Sequence, residues 1–267
     1  MKSLRRTALV LLAAIYLAGL SAAWLAPAGY ANQFRESAGA PPSRAFLLGT
    51  DDLGRDSFSR LLYGSRLSLT LAPAAALLAT LIAALVGITA GYAGGWIEIC
   101  LMRVTDLFLS IPWLFLLLIV RAFLPLNVRP LESVAITFCL LGLLGWAGPA
   151  RVLRSATREL KTEHYMVQAR ARGCRPLRLM LKHLLPNLEP IAAAQFWISV
   201  PIFILSEANL GFLGLGVAEP LPSWGNLLGG LQSMDALSGP WRLAPLALLI
   251  VVMTCFHLVV PEENLSK

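Results

Sequence analysis

The chain has 267 residues, of which 57% are hydrophobic and only 14% charged. A soluble domain carries about a quarter charged residues, so this composition excludes that class and points to a polytopic, all-α membrane protein, read as a single domain over residues 1–267. The formal charge of +7 needs no nucleic-acid partner, because most of the excess falls in one loop, and the four cysteines (Cys100, Cys139, Cys174, Cys255) show neither a Cys-x-x-Cys nor a His-rich metal pattern.

The chain opens with a short basic stretch, Lys2, Arg5 and Arg6, followed by Ala8–Ala28 without a charge. Basic start plus apolar run fits a cleaved signal peptide as well. An apolar length of about 20 residues favours an uncleaved span. Residues 29–66 are polar and hold Gly49-Thr-Asp-Asp-Leu-Gly-Arg-Asp56. The carboxylates Asp51, Asp52 and Asp56 could suggest a metal site, but Arg55, Arg60 and Arg66 are placed to pair with them. The expectation is a capped amphipathic helix leading into the membrane.

A second span is expected over Leu67–Ile97. Gly87-x-x-x-Gly91 and Gly91-x-x-x-Gly95 lie at its end, a spacing that either lets helices approach closely or loosens a helix end. Glu98, Arg103 and Asp106 read as a brief polar turn. The third span, Leu107–Val120, is short; Pro112 kinks it or marks its start, and Arg121 extends it by reaching towards the headgroups. Asn127–Glu132 is a turn, Ser133–Ala150 the fourth span, Pro190–Ser206 the fifth with Pro201 inside it, and Leu243–Val260 the sixth. Residues 211–241 form a polar loop rich in Gly and Pro.

Between the fourth and fifth spans lies a basic segment, 151–188. Glu159–Arg172 holds good helix formers and no Gly or Pro. Gly173 suits the left-handed residue that ends a helix, Pro176 the first turn of the next, and Pro186 its end. Two short helices around a glycine make a knob for touching another protein. The arginines and lysines of this segment place it in the cytoplasm by the positive-inside rule. With six spans both termini are then cytoplasmic, and 29–66 lies on the outer side, where its own arginines run against the rule.

No catalytic constellation is visible: His164, His183 and His257 have no carboxylate or serine at a useful spacing. No Walker-type phosphate loop is present, so the chain should not hydrolyse ATP itself. Tyr165, Val167, Ala169 and Gly173 are the better docking candidates, an aromatic giving contact area and small residues close approach. Arg175, Arg178 and Lys182 share a helix face; acidic lipid, an acidic partner surface and plain positive-inside bias all account for them. Glu207, late in the fifth span, is a functional candidate because an ionisable group near the bilayer is costly. A position at the outer interface beside Asn209 is the alternative.

Tyr165-Met-Val-Gln-Ala-Arg-Ala-Arg-Gly173 followed by Lys182-His-Leu-Leu-Pro-Asn187 resembles the EAA loop of binding-protein-dependent ABC importer permeases. Gly49–Asp56 is similar to the Gly-Thr-Asp-x-x-Gly-Arg-Asp signature of the dipeptide, oligopeptide and nickel permeases, and Met102-Arg-Val-Thr-Asp106, Phe212-Leu-Gly-Leu-Gly216 and Pro222-Ser-Trp-Gly225 resemble the same group. The resemblance implies a type I ABC importer transmembrane fold with six helices in a bacterial or archaeal cytoplasmic membrane. It further implies a second homologous permease subunit, ABC ATPase subunits that bind the ATP, an external solute-binding protein, contact with lipid, and no cofactor on this chain. Its cargo would be peptides or a related small solute. In that reading Tyr165, Val167, Gln168, Ala169, Arg170, Gly173, Arg175 and Arg178 form the coupling loop that docks the ATPase, and Glu207 is a candidate on the translocation path. The sequence departs from the family twice: the usual acidic residue of the loop is replaced in the Val167-Gln168-Ala169 region, and the chain ends in Phe256-His-Leu-Val-Val-Pro-Glu-Glu-Asn-Leu265. Two other classes compete. A secondary transporter would need no docking knob, and its spans would often carry ionisable groups. An intramembrane enzyme could draw only on Ser199, Ser206 and His257.

Overall fold

The structure, a computed structural model, describes residues 2–125, 128–232 and 239–259. In chain order its helices are α1 (Lys2–Leu20), α2 (Ala22–Leu25), α3 (Ser57–Ala93), α4 (Gly95–Ser110), α5 (Trp113–Phe123), α6 (Pro130–Leu144), α7 (Ala147–Thr162), α8 (His164–Ala171), α9 (Pro176–Leu179), α10 (Leu185–Phe212), α11 (Trp224–Gly229) and α12 (Ala244–Val259). Among the described residues there is no β-strand. Five stretches are long and apolar enough to cross a membrane: Ser3–Leu20, Ser57–Ala93, Pro130–Thr162, Met180–Phe212 and Pro240–Val259. The pair α4 and α5, bent by 89°, makes a sixth when counted as one span.

Helix ends follow caps and glycines, not the edges of the apolar runs. α3 begins at Ser57, well before Leu67, because the Asp56 carboxylate accepts the Ser59 N–H at 2.8 Å and the Ser59 hydroxyl at 2.5 Å. That satisfies first-turn donors, and bears out the capped helix expected there. Gly94 (φ 69°) and Gly95 (φ 55°) separate α3 from α4. The expected polar turn at Glu98, Arg103 and Asp106 is helical instead, since nothing from Trp96 to Ser110 breaks α4. Ile111 is extended (ψ 128°), as the residue before a proline must be. The third span is therefore a bent pair, not one helix over Leu107–Val120. Asn127 lies outside the described residues.

The basic segment is more helical than its charge suggested. Arg151, Arg154, Arg158 and Lys161 belong to α7. The expected continuous helix Glu159–Arg172 breaks at Glu163 (φ −60°, ψ 145°), whose carbonyl accepts the Met166 and Val167 N–H groups and starts α8 anew. Pro186 does not end a helix. Met180–Leu184 forms a π turn directly before it, so Pro186 enters the first turn of α10, where its missing N–H costs little. The Asn187 side-chain amide donates to the His183 carbonyl at 2.6 Å, at the same place.

The chain packs as two compact units, one from Met1–Ala72, Leu118–Phe138 and Pro201–Lys267, the other from Pro73–Leu117 and Cys139–Val200. In the first, α1 packs on α12. Arg55 pairs with Asp51 at 2.7 Å and Glu219 at 2.6 Å, and Arg60 with Glu219 at 2.9 Å. Arg55 and Arg60 thus pair with Asp51 as their spacing suggested, while Arg66 forms no ion pair among the described residues and Asp56 is a helix cap. Burial works against the charge of Arg55, but Asp51 and Glu219 outweigh it and raise its pKa. Arg121 does not reach for headgroups: it is buried, donating from Nε to the Leu215 carbonyl at 2.8 Å and from Nη1 to the Pro125 carbonyl at 3.0 Å. Carbonyls replace the water that a buried cation loses.

In the second unit α3 meets α7. A Cβ at Gly87 would run into the Ala150 carbonyl, and one at Gly91 would stand 2.7 Å from the Arg154 carbonyl and 2.7 Å from Thr157 Cβ. Of the two readings of the small-residue spacing, close approach holds at Gly87 and Gly91; Gly95 is the helix break. Ala83, Trp146, Ala147, Ala150 and Leu153 form the core of this contact. Lipid is as apolar as leucine, so close packing of this kind drives association within a membrane.

Candidate functional site

The segment that leads to α8 is held from two sides. On α7, Arg151 pairs with Asp106 at 2.5 Å, and Arg154 and Arg158 both reach Glu98, Arg158 at 3.2 Å. Lys161 donates to the Tyr92 carbonyl at 2.6 Å and lies 5.6 Å from the centre of the Tyr92 ring. A cation there offsets the free carbonyls at the end of α3.

Past the break at Glu163, Met166 is fully buried with Ile88, Leu179, Leu184 and Leu188. Burying such a side chain contributes about 1.5–3 kcal/mol. Met166 thereby fixes which face of α8 looks outward: Tyr165 and Val167 are exposed, and so is Gln168, while Ala169 packs half-buried against the same core. The side chain of Arg170 lies outside the described residues. Gly173 adopts φ 75°, and the Cys174 N–H bonds to the Ala169 carbonyl at 3.1 Å. This is the left-handed helix end that the glycine foretold. Desolvation, then the nearby charge of Glu163, raise the Tyr165 phenol above its ordinary value.

Tyr165, Gln168, Ala169, Gly173, Arg175 and Arg178 line a common hollow of about 560 Å³. Val167 is not part of it. Sequence reasoning missed Met166, although the run Tyr165-Met-Val carries the signal: three consecutive apolar residues on a short helix cannot all face one way. It also missed Glu98 as the partner of two α7 arginines.

Glu207 belongs to the other unit and sits inside α10. It is fully buried within the chain, and its partner is Ser68 rather than Asn209: the Ser68 hydroxyl donates to Oε2 at 3.1 Å. Ser223 adjoins the carboxylate. Oε1 has no hydrogen-bonding partner among the described residues. The same Ser68 hydroxyl accepts the Trp224 N–H at 3.2 Å, and the Trp224 indole donates to Ser65 at 3.0 Å. Glu207 thus ties α10 to α3 and to the start of α11.

Five apolar spans, or six with the bent pair counted as one, define a multi-pass membrane protein. Residues 60–261 match the family described as binding-protein-dependent transport system inner membrane component, and the chain belongs to that family. It is similar to the oligopeptide transport system permease protein OppC of Bacillus subtilis, with 32% identity covering 94% of this chain and 80% of the relative. The dipeptide transport system permease protein DppC of the same organism is 33% identical over 87% of this chain and 71% of its own length. A di/tripeptide transport system permease protein DppC of Pseudomonas aeruginosa is 33% identical over 90% and 78%. The chain is a multi-pass inner-membrane permease subunit of an ABC importer that works with a binding protein.

Proposed function

We propose that this permease carries peptides, on the strength of relatives that transport oligopeptides, dipeptides and tripeptides. An external solute-binding protein delivers the peptide, a second homologous permease subunit completes the path, and separate ATPase subunits bind and hydrolyse the ATP. This chain then needs no cofactor of its own and is not an enzyme. Residues 1–267 act as one transmembrane domain, a reading supported by the way each of the two compact units draws on separated stretches of the chain. Both termini face the cytoplasm of a bacterium or archaeon, residues 29–66 face outward, and the membrane's lipids surround the spans. Glu207 stands as the candidate group on the translocation path.

The observation that carries the docking assignment is the buried Met166, which presents Tyr165 and Val167 outward on a short helix. Tyr165, Val167, Gln168, Ala169, Arg170, Gly173, Arg175 and Arg178 form the ATPase-docking segment. A large side chain buried on docking contributes about 1.5–3 kcal/mol, against about 0–1 kcal/mol for one exposed ion pair. Tyr165→Ala should therefore weaken binding of the purified cognate ATPase strongly, and the loss should persist in high salt. Unchanged binding by Tyr165→Ala would remove α8 from the docking surface.

A further inference from the structure

Two groups of basic residues in the second unit differ in their partners. Those of α7 are matched within the chain: Arg151 with Asp106, Arg154 and Arg158 with Glu98, and Lys161 with the Tyr92 carbonyl. Those on either side of Gly173 are not. Arg172, Arg175 and Arg178 are exposed, and among the described residues none of them pairs with a carboxylate. All three line the hollow beside Tyr165, together with His183, and no carboxylate lines it. Orientation by positive charge accounts for arginines on this side of the membrane. It does not account for three of them converging on one concavity while their neighbours on α7 are bonded within the chain.

Resting on the docking reading above, we propose that this hollow receives an acidic segment of the ATPase subunit. The occupant follows from charge complementarity: planar guanidinium groups match carboxylates in geometry and charge, and complementary charge across an interface fixes register and speeds encounter. Gly173 contributes by having no side chain. Its φ of 75° turns the chain between α8 and α9, and a Cβ at this position would meet nothing within 4 Å, so the rim here is open to an incoming segment. The division of labour is that Tyr165 supplies contact area insensitive to salt, and the three arginines supply a salt-sensitive, charge-specific component. The arm that would otherwise carry an acid, Val167-Gln168-Ala169, is neutral, so the charge of this surface is positive and that of its partner negative.

The test measures binding of the purified cognate ATPase to the purified permease complex in nanodiscs, either of phosphatidylcholine alone or with added phosphatidylglycerol. The triple variant Arg172→Gln, Arg175→Gln, Arg178→Gln should bind about tenfold more weakly at low salt in neutral discs, with the difference vanishing as salt screens the pairs. The corresponding triple lysine variant should restore most of the binding. If the glutamine triple binds as wild type while Tyr165→Ala still weakens, the acidic occupant is wrong and the docking reading stands. If neither variant changes binding, both fail. If the triple differs from wild type only in discs with phosphatidylglycerol, the hollow takes an anionic lipid headgroup and the proposal is overturned.

Discussion

Replacing Gly91 by alanine tests the packing that carries the coupling segment. A Cβ at Gly91 would stand 2.7 Å from the Arg154 carbonyl, 2.7 Å from Thr157 Cβ and 2.9 Å from Thr157 Cγ2. Carbon contacts are comfortable at about 3.5–4.0 Å, so the methyl intrudes by roughly an ångström. Neither neighbour can yield cheaply. One is backbone, and Thr157 is fully buried with its hydroxyl bonded to the Leu153 carbonyl at 2.7 Å. Because the clash meets backbone and a buried side chain, the overpacking cost lies in the upper part of its usual range, about 2–3 kcal/mol, offset by about 1 kcal/mol because alanine favours a helix interior over glycine. The net expectation is a loss of about 1–2 kcal/mol, or about 2–8 °C in midpoint for a chain of this size. Gly148→Ala is the matched control: it lies on α7 with nothing within 4 Å of its Cβ, so the clash is absent. Thermal unfolding of the detergent-purified variants, followed by intrinsic fluorescence, measures both. Equal midpoints for Gly91→Ala and wild type would refute the claim that α3 and α7 meet backbone to backbone.

Gly173→Leu should lower peptide uptake while the protein still reaches the membrane, because a left-handed residue with a side chain costs about 1–2 kcal/mol; Gly173→Asn should retain more uptake, and equal uptake by both would remove the backbone from the explanation. Glu207→Ala strips the partner from Ser68 inside a buried network and should destabilise by about 1–3 kcal/mol, with Glu207→Gln losing less; a thermal midpoint unmoved by Glu207→Ala contradicts the tie between α3 and α10. In a cysteine-free background, an impermeant maleimide applied to intact cells should label Ser43→Cys and spare Thr162→Cys; the reverse pattern would invert the orientation.

The sequence made the apolar spans legible because lipid imposes composition directly. It also made Pro112, Gly173 and a capped helix after residue 49 legible, because each acts on its own few residues; that Asp56 is the cap was not. What it hid depended on partners far along the chain. Arg121 looked like a residue reaching for headgroups until the Leu215 carbonyl was placed beside it. Asn209 looked like the partner of Glu207 because Ser68, which bonds it, lies 139 residues away. The polar stretch at Glu98 read as a turn, although its charge serves two arginines on α7. Pro186 was misread because a π turn, which has no sequence signature here, absorbs it. In the proposed docking segment, the left-handed turn at Gly173 was readable from residue type alone, whereas Met166, which leaves Tyr165 and Val167 exposed, shows its role only against Leu179, Leu184 and Leu188.

The central claim is that this chain is the membrane path of a peptide importer driven by ATP from a partner subunit. Its most direct measurement is uptake of a radiolabelled peptide into proteoliposomes holding this chain, its partner permease and the ATPase, with the cognate binding protein added outside. The account predicts accumulation that needs internal ATP and the binding protein, and that is lost with Tyr165→Ala. Uptake that proceeds without ATP, or that follows an ion gradient alone, would contradict it.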